Sequence, residues 1–308
     1  MSKESNFKRY TQEDDFLHAP DEREKWRESY YFNWVDLDIQ ISGFTTLGIL
    51  PNEEKRELVF ILFFKNKRMV YYKEPQLENY NHKVNPNSVL KDKNLCYKMI
   101  KPMEEWKIIY TTRKLTFEIS FKNRFSPYYF GKDSSASWHR HFECSGYVSG
   151  TLSLRNGKEL DINGFGQRDK SWGYRDWHQF DQWYAGHFQF KKWSCGFRKD
   201  YQNNQMQLSG YIGTKKGNLA LKEIEIQVKN DTDAFNSPLT TIYKILDINN
   251  NTYKIQATRI NNKSFMRFSR EFDEGSTELF EQMVIMKDLE SGEIGTGMSE
   301  ELRTHGVT

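Results

Sequence analysis

Gly164-Phe165-Gly166-Gln167-Arg168-Asp169-Lys170-Ser171-Trp172-Gly173-Tyr174-Arg175-Asp176-Trp177 packs three glycines, two arginines, two aspartates, two tryptophans and a tyrosine into one short stretch. Loops are usually polar and small. Charge set among large aromatics points instead to a partly buried site, where Arg and Asp pair to offset desolvation. Two readings are open. In the chemical one, a carboxylate beside Arg or Lys has a defined protonation state and a Trp face shelters a cation, a combination able to protonate an alkene. In the other, an Arg–Asp latch joins two domains, with Trp172 and Trp177 as packing anchors, because structural ion-pair networks look like sites.

Outward from this stretch, apolar residues recur at every second position. The pattern predicts strands over residues 38–50, 57–64, 106–111, 114–121, 142–154, 159–163, 182–190 and 193–198. It predicts further strands over 205–214, 219–229, 240–248, 253–260 and 278–286. Asn156-Gly157 suits a tight hairpin, since both residues tolerate positive φ, and Asn249-Asn250-Asn251 and Lys215-Lys216-Gly217-Asn218 suit the same task. The run 58–64 reads as plain core strand, and the polar residues 11–28 read as a loop or short helix leading into the fold. So many strands with almost no amphipathic helix predict an all-β protein of barrels or sandwiches. A barrel of roughly eight strands needs a little over ~100 residues, so the 308 residues hold two. Alternation breaks near residues 168–180, which sets the expected domains at 1–172 and 173–308.

Composition excludes several classes. Aromatics reach 15%, with 8 Trp, 17 Tyr and 22 Phe, too many for a disordered chain. The longest apolar run, 58–64, falls far short of the ~20 residues that span a bilayer. Forty-five basic against 42 acidic residues, interspersed, give a net charge of +3, with no run of like charge to bind nucleic acid. Cys96, Cys144 and Cys195 are odd in number and form no CxxC. They read as free thiols, and with residues 1–9 lacking an apolar leader core, the expected location is cytoplasmic. The sequons at Asn230 and Asn262 carry no weight without secretion. No hydrolase elbow, phosphate-binding loop or zincin motif occurs.

The stretch Gly164–Gly173 resembles the signature of a lipocalin-like two-domain family that includes carotenoid 1,2-hydratase, kievitone hydratase, tocopherol cyclase and the fungal Diels–Alderases. Glu28-Ser29-Tyr30-Tyr31-Phe32-Asn33 resembles its N-terminal motif, and Gly43-Phe44-Thr45-Thr46-Leu47-Gly48 with Pro51-Asn52 its first strand and turn. His141-Phe142-Glu143-Cys144-Ser145-Gly146 and Val148-Ser149-Gly150-Thr151 are similar to the strand before the signature. The resemblance spans residues 14–190 and continues only loosely, through Gly295-Thr296-Gly297 near a Glu pair. It implies two consecutive lipocalin-like antiparallel β domains with a hydrophobic ligand cavity at or near their junction. Members act on terpenoid, prenylated or polyketide molecules, the province of secondary metabolism. Several protonate a carbon–carbon double bond and capture the cation with water or an internal hydroxyl, while others only fold a polyene for cycloaddition.

The resemblance implies an enzyme of the hydratase (lyase) or cyclase type, acting on a hydrophobic unsaturated small molecule without a cofactor. The alternative is a non-catalytic carrier of a lipophilic ligand, and a cycloaddition scaffold is a third reading. Expected catalytic residues are Asp169, Lys170, Trp172, Tyr174 and His187. Expected substrate-binding residues are Glu28, Tyr30, Trp34, His141, Glu143, Arg168 and Trp177. In this scheme Lys170 and Arg168 orient Asp169, Trp172 and Trp177 face the cation, and Tyr174 donates a hydrogen bond. One departure matters. Lys170 stands where the hydratases carry His in Asp-His-x-Trp-Gly, although the cyclase type has a Lys there. Lys is a poor acid at neutral pH unless desolvated, so Asp169 or Tyr174 supplies the proton and His187 substitutes for the missing His.

Other residues carry two meanings. His139 and His141 share a strand face and with a third His would bind zinc or iron, but no carboxylate stands at diagnostic spacing, so no metal is expected. His141 and Glu143 equally suit a satisfied polar pair in a barrel mouth. Glu28 among aromatics either pairs with an arginine or serves as an acid of raised pKa. The sequence sets no oligomeric state.

Overall fold

β-Branched and aromatic residues at alternate positions fit a half-buried pleated surface, and in this computed structural model, which describes residues 11–130 and 139–306, they form 19 strands. The first ten are β1 (Trp26–Asp36), β2 (Ile41–Leu50), β3 (Lys55–Phe64), β4 (Lys67–Lys73), β5 (Leu95–Lys101), β6 (Glu105–Thr111), β7 (Leu115–Asn123), β8 (Tyr128–Tyr129), β9 (Arg140–Leu154) and β10 (Glu159–Tyr174). The remaining nine are β11 (Gln182–Gln189), β12 (Trp193–Gln202), β13 (Gln205–Thr214), β14 (Gly217–Asn230), β15 (Pro238–Asp247), β16 (Thr252–Arg259), β17 (Phe265–Phe272), β18 (Gly275–Asp288) and β19 (Ile294–Gly306). Helical structure among the described residues amounts to short 3-10 turns, none long and apolar enough to cross a membrane. Residues 1–9, read as lacking a leader core, lie outside the described residues.

The first sheet runs β4-β3-β2-β1-β10-β9-β7-β6-β5, with β8 on β9. It is open but curled. Phe60 of β3 stacks on Tyr110 of β6 at 4.3 Å, and Tyr71 of β4 meets the same ring at 5.3 Å, although these strands are far apart in sheet order. Tyr30, Phe32, Trp34, Trp106 and Phe117 fill the concave side. The second sheet closes. β16 pairs with both β15 and β18, so β11 to β16, β18 and β19 form a barrel, and β17 hangs on β18. Phe188, Phe197, Tyr243 and Ile255 fill its interior. The all-β, two-unit architecture expected from the sequence is therefore present.

A further cluster joins the two sheets. Tyr31, Val35, Phe44, Ile61 and Phe63, from the outer side of the first sheet, pack on Met283 and Met298 of the barrel. This explains where alternation misleads. β10 does not stop at residue 163 but runs through the signature to Tyr174. One face of that strand lies in the concave core and the other against the barrel, so both carry large or charged side chains and no period-2 contrast survives. β1, buried along almost its whole length, is missed for the same reason. The segment 11–28 contributes a 3-10 turn at Gln12–Asp15 and the start of β1. The strand expected from residue 38 begins at Ile41, because Gln40 takes a positive φ in the preceding turn. Gly157 and Asn250 also adopt positive φ at the hairpins predicted for them.

Candidate active site

Side chains on β10 alternate between two environments. Arg168, Lys170 and Trp172 point into the first sheet. Arg168 is fully buried and grips Asp15 through two hydrogen bonds, of 2.8 and 3.1 Å. Asp15 also accepts from the Met103 N–H at 2.7 Å and the Trp106 indole at 3.2 Å. Burial disfavours the charge on Arg168, but Asp15 outweighs it and raises the guanidinium pKa. Lys170 forms an ion pair with Glu28 and lies 4.4 Å from the Tyr30 ring centroid and 4.9 Å from that of Trp172. Burial pushes the Lys170 ammonium well below its ordinary pKa. Glu28 finds this lysine rather than an arginine, and accepts from the backbone and ring of His18 at 2.9 and 3.0 Å. His18 stacks on Trp172 at 3.7 Å. Burial, then Lys170 and Arg140, take its pKa down to about 2. Trp34 packs against Phe60 and Phe117 in the same core. Arg168, Lys170, Trp172, Glu28, Tyr30 and Trp34 thus stand together, but none lines the cavity between the sheets. Tyr174 bonds to Asp176 at 3.1 Å, outside that cavity as well.

The opposite parity builds the candidate site. Asp169, Glu143, His141, His187 and Trp177 line a cavity of about 530 Å3 between the outer side of the first sheet and the barrel. Asp169 and Glu143 are direct cross-strand partners on β10 and β9, an unfavourable placement for two charges. Burial and then the Glu143 charge push the Asp169 carboxyl up to about 7, and burial also raises Glu143. Glu143 Oε1 lies 3.3 Å from His187 Nε2. Gln167 donates to the other oxygen, Oε2, and to the Tyr211 hydroxyl at 3.1 Å. The Asn33 side chain accepts from the Gln167 N–H at 3.0 Å, so its amide N–H donates to His187 Nδ1 at 2.8 Å. A neutral His187 is thereby fixed with its proton on Nε2, toward Glu143. Burial opposes a charge on His187, but Glu143 more than offsets it and the imidazole pKa rises. His141 stacks on Phe130 at 4.5 Å, with Nε2 3.7 Å from Glu143. Burial holds its pKa well below the ordinary value. His139 is exposed, and His178 lies outside the cavity.

The barrel contributes a second acid pair. Glu281 and Glu300 are cross-strand partners on β18 and β19. Trp183 donates its indole N–H to Glu300 at 2.6 Å. Burial and then Glu300 drive Glu281 well above the usual carboxyl range. Sequence reasoning missed both glutamates, and Asn33 and Gln167 with them. A usable signal exists: in Leu279-x-Glu281-x-Met283 and Met298-x-Glu300-x-Leu302 an acid takes a position whose same-face neighbours are apolar. Among the described residues no three His, Cys, Asp or Glu side chains are grouped to hold a metal ion.

Gly196 on β12 makes room for this network. A Cβ there would stand 2.2 Å from Glu143 Oε2, 2.6 Å from the Tyr211 ring and 2.8 Å from Gln167 Nε2. Gly196→Ala is expected to cost about 1–3 kcal/mol in urea unfolding and to displace Glu143. An unchanged midpoint would show that the packing there is looser than described.

No curated protein matches the sequence significantly. Among solved structures the chain is similar to an AttH-type protein from Nitrosomonas europaea, with TM-score 0.64 at 9% identity, covering 90% of this chain and 92% of that one. It is also similar to kievitone hydratase from Nectria haematococca, with TM-score 0.61 at 11% identity, covering 90% of this chain and 89% of that one. Likeness at such identities is one of fold, and it bears out the fold implied by the sequence resemblance. The family model described as a domain of unknown function, DUF7064, matches residues 11–305, and the chain belongs to that family.

Proposed function

We propose that the protein is an enzyme of the hydratase or cyclase type that protonates a carbon–carbon double bond in an apolar small molecule held between the two sheets. The observation that carries this reading is the place of Asp169, a buried carboxyl beside Glu143 on a cavity wall shared with Phe44, Ile61 and Met298, where burial and then Glu143 push its pKa up to about 7. Its proton passes to one alkene carbon as the π electrons form the new C–H bond. The cation left on the neighbouring carbon faces Tyr31 and Trp183, whose rings stabilise positive charge. Water or a hydroxyl of the same molecule closes on the cation. The proton it releases goes to the Glu143–His187 pair, and Asp169 regains a proton from solvent. Arg168 and Lys170, on the other face of β10, act as positioning residues that fix the strand. Kinship of fold with a hydratase agrees with this chemistry, and the acid–base set gives the enzyme reading its advantage over a simple carrier.

The test uses the ligand that copurifies with the protein, together with prenylated phenols and terpenoid alkenols, incubated in D2O. An enzyme of this type yields product with non-exchanging deuterium on carbon. Ligand that binds and returns undeuterated makes the protein a carrier.

A further inference from the structure

The Glu281–Glu300 pair takes no part in the scheme above, yet it lines the same cavity. Met283 of β18 and Met298 of β19 pack on Tyr31 and Phe44 of the first sheet. Glu281 and Glu300, two residues along from them, share that face of the barrel and look toward the wall that carries Asp169. In the row across the strands the pair is flanked by Met266 of β17 and Ala185 of β11, whose side chains offer no donor. The guanidiniums on this wall are engaged elsewhere. Arg198 Nε donates to Asp200 and Arg267 Nε to Glu278, both at 2.6 Å, and Arg270 lies on the Trp177 ring, 3.9 Å from Glu57.

Trp183 holds Glu300 through its indole N–H at 2.6 Å. Glu281 is buried and hydrogen-bonds to Glu300 but to no other described residue. Two carboxylates can only accept, so that bond needs a proton between them. The shared proton occupies one oxygen of Glu281 and leaves the other without a donor. A molecule with no O–H, seated against it, would keep that oxygen both desolvated and unpaired, at a cost in affinity. A hydroxyl brings one proton to the one open acceptor, whereas an ammonium brings three. Resting on the alkene-protonation reading above, we infer that the substrate is an unsaturated lipophilic alcohol whose hydroxyl donates to Glu281 on the barrel wall while its double bond meets Asp169 on the facing one. The hydroxyl keeps its proton and serves as an anchor, and its distance from the double bond selects which alkene carbon Asp169 reaches.

Three probes with one tail test this: geraniol, geranyl methyl ether and geranylamine, titrated into the full-length protein by calorimetry. Geraniol is expected to bind at least about tenfold tighter than the ether, which cannot donate, and tighter than the amine. This comparison needs no variant to fold. Glu281→Leu removes the acceptor, so the affinities for geraniol and the ether should converge. Glu281→Gln should keep the preference, because its amide N–H replaces the shared proton and its carbonyl stays open. Equal affinity for geraniol and the ether, tighter binding of geranylamine, a preference that persists in the leucine variant or one that is lost in the glutamine variant overturns the hydroxyl anchor. Each of these leaves the protonation reading, which rests on Asp169, standing. Failure of all three probes to bind removes the apolar-cavity reading and this proposal with it.

Discussion

Asp169→Asn is expected to abolish turnover, by about a thousandfold or more, and to make the protein more stable rather than less. An amide keeps the shape of the protonated carboxyl but has no acidic proton to give. In the wild type the folded-state pKa of about 7 stands above the ordinary carboxyl value near 3.8. The native state therefore holds a proton that the unfolded chain has released, and stability falls as pH rises through that window. The asparagine variant escapes this loss. Its advantage opens from about pH 4, is complete above about pH 7, and amounts to about 2–4 kcal/mol, measurable by urea unfolding at pH values inside and outside the window. Wild-type kcat/KM should fall above about pH 7 as the acid ionises. A variant that retains its turnover ends the assignment of Asp169 as the acid.

The second large effect is structural. Asp15→Ala leaves Arg168 fully buried without the carboxylate it grips and deprives the Met103 N–H and the Trp106 indole of their acceptor. Removing one member of a buried pair typically costs about 3–5 kcal/mol. Replacing both members by apolar residues, Asp15→Leu with Arg168→Met, should recover most of that loss, because no unpaired charge remains. Urea unfolding of the single and double variants measures the difference. A single variant within about 1 kcal/mol of wild type would mean that the charge is solvated and that the pair does not hold the N-terminal turn to β10.

How much of this was legible depended on which faces of a strand are buried. β15 and β16 have one side in the barrel and the other partly open, and the strands that alternation predicts over 240–248 and 253–260 stand as Pro238–Asp247 and Thr252–Arg259. β1 and β10 are covered on both sides, so hydrophobicity carries no phase there and the signature reads as a break in the pattern. The residue types in the signature are informative only together with their parity. On an extended strand, Asp169 must face away from Arg168 and Lys170. The even positions of the charged stretch therefore hold a buried Arg168–Asp15 pair inside the first sheet rather than a latch between domains, and the odd ones form a cavity wall. Asp169, Glu143, His141 and His187 do meet in one cavity, brought from β9, β10 and β11. The Glu281–Glu300 pair stayed hidden because it arises from β18 and β19, which only the packing of the two sheets brings to the cavity.

The most direct test is the titration of Asp169 itself, read as the carboxyl infrared band or the side-chain carboxyl 13C signal that disappears in Asp169→Asn. A protonated carboxyl that ionises near pH 7 is the predicted result. A group already ionised at about pH 5, as an ordinary aspartate is, would contradict alkene protonation from this side chain.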